Sequence, residues 1–261
     1  MKVIGKIIKG LLAVAFIMIV CVSGIFIYKG YNMYKNAIEE VSIEDKVNEI
    51  RAKENYTKIE ELPEIYLEAI ISVEDHRFYE HWGVDVLATL RAAYNDIRAM
   101  SFVEGGSTIT QQLAKNLYFT QEKKVERKVA EVFMAVALEK EYSKKYILEL
   151  YVNSIYFGNN YYCVRDASMG YFGKEPGKMT EYESTLLAGI PNAPSVYALT
   201  ANPDLAAQRQ RQVLEKMIKY KYLTSEEAEK TIRVDLEDGF MNQQFYDAME
   251  ESPVIAAVKD F

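Results

Sequence analysis

Between Glu104 and Asn116 the chain reads E-G-G-S-T-I-T-Q-Q-L-A-K-N, two glycines followed by hydroxyl and amide side chains and a lysine. Glycine lets a backbone turn steeply and approach a ligand closely. With Thr108 as N-cap, Gln111 falls at N3 and completes a capping box, which predicts a helix from Ile109 to about Leu117. The free N–H groups of that helix start, beside Gly105, Gly106 and Ser107, form a seat for an anion, and Lys115 adds charge if it folds back. Taken alone, an ordinary capped surface helix is the simpler reading. A second stretch, Glu74 to Asp85, reads E-D-H-R-F-Y-E-H-W-G-V-D and is dense in ionisable and aromatic side chains. In a third, Lys123 to Lys140, Val125, Val129, Val132, Phe133 and Val136 make an apolar helical stripe. Lys124, Arg127 and Glu131 fall on the opposite face, and taken alone they read as a solvated face with an i,i+4 ion pair.

These stretches need elements to position them. Apolar Ile65, Ala69, Ile70 and Val73 keep helical spacing behind Pro63, so a helix delivers Glu74 and Asp75 at its end. Another helix is predicted from Val86 to Ala99. Ser143 caps a helix from Lys144 to Phe157 that Gly158 ends. On this reading Asn153 and the nearby tyrosines pack and hydrogen-bond. Thr180 and Glu183 form a second capping box before a short apolar helix ended by Gly189 and Pro191. Pro203 opens a long helix to about Tyr220, and Thr224 with Glu227 starts another. No alternating strand of convincing length occurs, so the body is expected to be mostly α.

The N-terminus differs from the rest. Gly10 to Tyr28 carry no charge, a run long enough to cross a bilayer core, and no small-x-small pattern follows to mark a cleaved signal. Lysines on both sides leave orientation to the default, an N-in anchor with the domain outside. The expected division is a tail at 1–9, a span at 10–28, a stalk or linker at 29–60 with apolar residues too sparse for a core, a domain at 61–235, and an unassigned 236–261. The five lysines of residues 1–35 leave 26 of the 31 basic residues for the remainder, against all 38 acidic ones. An acidic body of that kind argues against a nucleic-acid partner. With only Cys21 and Cys163, neither a disulfide framework nor a C-x-x-C metal site is available.

Together the segments resemble the peptidoglycan glycosyltransferases, family 51 of the glycosyltransferases. Glu74, Asp75, Phe78, His81 and Gly83 resemble the first motif of that family, and Gly105 to Gln112 the second. Arg127, Lys128 and Glu131 fit the third; Tyr151, Asn153, Ile155, Tyr156, Phe157 and Gly158 the fourth; Leu187 to Gly189, Pro191, Ala193, Pro194 and Tyr197 the fifth. Lys123 and Lys124 stand where relatives often have arginine, which removes a bidentate fork on phosphate. Cys163 and Arg165 also depart from the pattern.

The resemblance implies a lysozyme-like helical domain with a membrane-proximal second lobe and a cleft between them. It implies polymerisation of lipid II into β-1,4 glycan with release of undecaprenyl pyrophosphate, the membrane and the growing lipid-linked chain being the other partners, alongside further wall-synthesis proteins. The absence of S-x-x-K and K-T-G motifs points to a form without a transpeptidase module. Glu74 is expected as general base, with Lys115, Arg127, Lys128, Lys123 and Lys124 on the pyrophosphate and Ser107, Thr108, Gln111, Gln112, Asp75, Phe78, His81 and Asn153 at the substrate. Glu131 is expected to orient Arg127 and Lys124, with a shared divalent cation (Mg2+ or Mn2+) as the alternative. Phe102 and Val103 are candidates for contact with the bilayer. A lytic glycan-cleaving enzyme and a catalytically silent wall-synthesis scaffold are the rival functions.

Overall fold

The computed structural model describes residues 2–101, 105–120, 122 and 124–238. Over these the protein is helical, with no strand among the described residues. The helices are α1 (Lys2–Glu40), α2 (Ile43–Arg51), α3 (Glu64–Glu74), α4 (Val86–Ala99), α5 (Ile109–Tyr118), α6 (Val125–Glu141), α7 (Lys144–Val152), α8 (Val164–Phe172), α9 (Glu181–Gly189), α10 (Pro194–Tyr197), α11 (Pro203–Lys219) and α12 (Ser225–Asp238). The expected starts at Thr108, Ser143 and Thr180 hold: each side chain accepts the N–H three residues on, and Thr108 and Thr180 complete full capping boxes.

The core gathers around α3, α5, α7, α9 and α11. Tyr66, Ile70, Ile109, Leu113, Leu148, Tyr151, Leu186 and Val213 are all fully buried within it. α3 lies against α9 and α11, and α5 lies between α6 and α7. This packing brings the residue that ends α3 beside the start of α5, well separated from it along the chain.

Three expectations about elements are corrected. Residues 29–60 are not a bare stalk, because Ile43, Val47 and Ile50 of α2 bury into the core, as does Ile59. The i, i+4, i+7 spacing of Ile43, Val47 and Ile50 puts all three on one helix face, and one such face is enough to dock a short helix on a core that already exists. The helix from Lys144 stops at Val152 rather than Phe157. Asn153 ends it: its side chain accepts the Thr57 N–H (2.8 Å) and donates to Thr57 O (2.7 Å) and Glu149 O (2.8 Å), which turns the chain. Gly158 sits further along at φ +84, where a Cβ would meet Pro194 O at 2.9 Å.

The third correction concerns α6. Its stripe of Val129 and Phe133 does not enter the core but packs on α1, where Phe133 stacks with Tyr34 at 5.9 Å and meets Tyr31 edge-on at 5.3 Å. Gly30 of α1 lies against Val129, with no room for a side chain between them. The face taken as solvated is the buried one, carrying Ala130, Glu131, Met134 and Ala135. α6 is thus sandwiched between α1 and the body. Lys9–Glu40 is a helix long and apolar enough to cross a membrane, with none of its apolar window buried.

Candidate active site

Glu74 is the last residue of α3, and Asp75 is its cap. The two neighbouring carboxyls diverge. Asp75 turns inward, where it accepts from His81 Nε2 (2.9 Å) and from the Ile109 N–H at the start of α5 (3.0 Å). His81 Nδ1 accepts the Gly83 N–H, so the ring proton sits on Nε2 and is given to Asp75. Thr108 donates its hydroxyl to Gly83 O at 2.7 Å. Gly83 is held at φ +100 against Ala135 O, a conformation and a clearance that only glycine allows. These bonds lock the loop after α3 to the start of α5.

Glu74 turns outward. Its Oε2 accepts from Gln112 Nε2 at 2.7 Å, and Gln112 in turn accepts from the buried Tyr151 hydroxyl at 3.2 Å. Its Oε1 is shielded from solvent and has no partner. Glu74, Gln112, Ser107 and Lys115 line one groove of about 770 Å3, which α11 closes on the other side. Lys115 lies one turn from Gln112 on α5. Burial, set against the attraction of Glu131, holds its ammonium below the usual lysine range, with Arg127 and Lys128 acting in the same direction as burial.

Glu131, 1% exposed, gathers the cations of α6. Its Oε1 accepts from Arg127 and its Oε2 from Lys128 at 2.9 Å, and Lys128 also reaches the Ser107 hydroxyl. A buried carboxylate paired twice is costly to assemble and worse to break, so it fixes both cations in place. Lys124 is not among its partners; it is exposed and pairs with Glu122. A protein-held divalent cation does not fit this donor set. Both oxygens of Glu131 are taken by cations, and no group of three acidic, histidine or cysteine side chains gathers among the described residues.

Several residues expected at the substrate stand behind the groove instead. Phe78 is fully buried, Thr108 and Gln111 are spent on the capping box, Asn153 holds the Thr57 main chain, and Asp75 and His81 bind each other. The helix start of α5 is not an open anion seat, because the Asp75 carboxylate is already the anion bound there. Neither Gly105 nor Gly106 has a positive φ; a Cβ on Gly106 would stand 3.2 Å from Ala92 of α4, a tight contact, while Gly105 faces the open groove. Lys123, Phe102 and Val103 lie outside the described residues. Sequence reasoning named Tyr197 as a motif residue without a role and missed the rest of the far wall, where Asn192, Arg209, Gln212 and Lys216 line the groove beside it. The spacing of Arg209, Gln212 and Lys216, a helical i, i+3, i+7, was the available signal.

A helical body with a groove lined by the carboxylate of Glu74 together with Lys115, Arg209 and Lys216 is suited to transferring a group away from a phosphate. The chain belongs to the transglycosylase family, whose model matches residues 42–218. It is 42% identical to penicillin-binding protein 1A of Aquifex aeolicus over 184 residues, which are 70% of this chain and 25% of that protein. To penicillin-binding protein 1F of Bacillus subtilis it is 47% identical over 170 residues, 65% of this chain and 24% of that protein. The penicillin-binding protein 1A of Neisseria gonorrhoeae matches at 42% over 184 residues, 70% of this chain and 23% of that protein. The chain spans about a quarter of the length of the curated relatives it matches.

Proposed function

We propose that the protein is a peptidoglycan glycosyltransferase that joins lipid II units into a β-1,4 glycan. The observation that carries this reading is the shared groove: Glu74 and Lys115 line the same cavity, with Gln112 bonded to the first and one turn from the second. A sugar hydroxyl needs a base within hydrogen-bond reach, and a lipid pyrophosphate needs its developing charge neutralised. The Glu74 carboxylate takes the proton from the acceptor 4-hydroxyl. The freed oxygen forms its bond to C1 of the donor sugar as the C1–O bond to pyrophosphate breaks, inverting the centre. The departing pyrophosphate is held by Lys115, with Lys128 and Arg127 behind Ser107. Glu131 positions those two cations.

The long apolar helix α1 anchors the protein in the bacterial cell membrane with the domain outside. Lys29, the first charge after the apolar run, pairs with Glu126 at 3.6 Å and ties the helix to α6, so the domain stays close to the lipid surface from which both substrates come. The test is polymer formation from lipid II by the detergent-solubilised full chain, with Glu74→Gln beside it. We expect polymer from the wild type and a kcat lowered about 10²- to 10⁴-fold in the variant, the usual range for a lost general base. Release of fragments from purified cell wall without polymerisation of lipid II would overturn the assignment.

A further inference from the structure

The family-motif residues account for one side of Glu74; the other side is held by α11. Lys216 donates from Nζ to Val73 O at 3.4 Å, the carbonyl of the residue just before Glu74. That carbonyl belongs to the last turn of α3, where the helix itself has no donor to offer. One turn further on, Tyr220 caps α11 and stacks on His76, ring centroids 4.2 Å apart and planes 10° from parallel. His76 is two residues past Glu74. Two side chains from the end of a single helix therefore grip the chain on either side of the proposed base, one before it and one after. Lys216 and Glu74 both line the groove and a chamber of about 30 Å3 beside it.

We propose that Lys216 and Tyr220 are positioning residues that clamp the end of α3 and so set the direction in which the Glu74 carboxyl enters the groove. The proposal deepens the functional reading and rests on it. The inward bonds of Asp75 fix the loop to α5, and the α11 contacts add a second hold on the end of α3. A base displaced by about 1 Å loses a large part of its rate even when the substrate still binds. Asp85 and Arg77 take no part in the clamp. Their paired contacts, Nε to Oδ2 at 2.9 Å beside the Ala88 N–H at 2.7 Å, serve the start of α4.

The experiment is steady-state polymerisation of lipid II by the full chain in detergent, for Lys216→Met, Lys216→Arg, Tyr220→Leu and Tyr220→Phe, each also in the Glu74→Gln background. We expect Lys216→Met and Tyr220→Leu to lower kcat about 10- to 100-fold with KM changed less than about twofold. Lys216→Arg keeps a cation on the Val73 carbonyl and Tyr220→Phe keeps the ring on His76, so these two variants retain most of the wild-type kcat. In the Glu74→Gln background the same substitutions lower the residual rate no further, because they act through the group already removed. Wild-type kcat in both Lys216→Met and Tyr220→Leu, a loss confined to KM, or losses that multiply in the Glu74→Gln background would each overturn the clamp. A melting temperature measured for every variant separates a lost fold from a lost alignment, and Lys216→Gln and Tyr220→Met are read in place of the first pair if that pair unfolds. Failure of the wild type to polymerise lipid II overturns the functional reading instead.

Discussion

Lys115 shows how the site trades stability for function. Its ammonium is half-buried in a groove shared with Arg209 and Lys216, and burial is the largest cause of its lowered pKa. Below that lowered value the folded protein must keep an ammonium that the unfolded chain would hydrate freely, so at neutral pH the charge opposes folding. Lys115→Met is expected to raise the melting temperature, by on the order of 1 kcal/mol of stability, and to abolish polymerisation. Thermal unfolding followed in parallel with the lipid II assay checks both halves. His76 gives a pH signature. Burial, and then Arg91 and Arg77, push its pKa below 6.5, although Asp75 and Asp85 oppose the shift. As pH falls below 6.5 the unfolded chain takes up a proton that folded His76 resists, so stability declines until the folded value is passed. His76→Phe, which keeps the stack on Tyr220, is expected to flatten the pH dependence of the melting temperature in that window.

At the scale of elements, what could be read from the chain was local chemistry. The capping boxes at Thr108 and Thr180, Pro203 at the first turn of α11 and the helical spacing of Ile70 and Val73 are decided within a few residues, and they placed α3, α5, α9 and α11 with their ends near the observed ones. The pairing of Glu74 with the groove of Lys115 was legible too, through motif order. What depended on distant partners was not. Burial of Glu131 follows from α1 covering the other face of α6, and no periodicity within α6 reveals a neighbour so remote in sequence. The end of α7 is set by Thr57, also far off in sequence. This yields a prediction for that element. Asn153→Ala leaves the buried Thr57 N–H and C=O without their partner, each a loss of the kind that costs about 1 to 3 kcal/mol. We expect a destabilisation of about 2 to 4 kcal/mol by denaturant unfolding. Because Asn153 stands away from the groove, kcat of the molecules still folded should stay near wild type, which separates a supporting residue from a substrate contact.

At the scale of the molecule, α4 presents, among the described residues, a face that neither the core nor the groove explains. α4 turns Ala92 toward Gly106 and lines the groove with Asn95, but Leu87, Leu90, Tyr94 and Ile97 stand outward at 62% exposure or more. Their spacing of three, four and three residues makes a continuous apolar stripe on the outer side of an amphipathic helix, the pattern of a segment that lies in a bilayer interface. Singly exposed apolar residues need no explanation, whereas an unbroken row does. On the proposed function, α4 is expected to lie along the surface of the membrane that α1 enters, which gives the domain a second attachment beside the groove. Leu90→Glu with Ile97→Glu removes the surface contact and touches no core residue, so stability in detergent should change by less than about 0.5 kcal/mol. In detergent micelles, where substrate and enzyme share no continuous surface, polymerisation should proceed near the wild-type rate. In liposomes carrying lipid II it should fall about tenfold or more, since burying those two side chains at the interface contributes roughly 3 to 6 kcal/mol in the wild type. Equal slowing in micelles and liposomes would mean that the stripe packs against protein or shapes the groove, and that α1 alone holds the domain to the lipid.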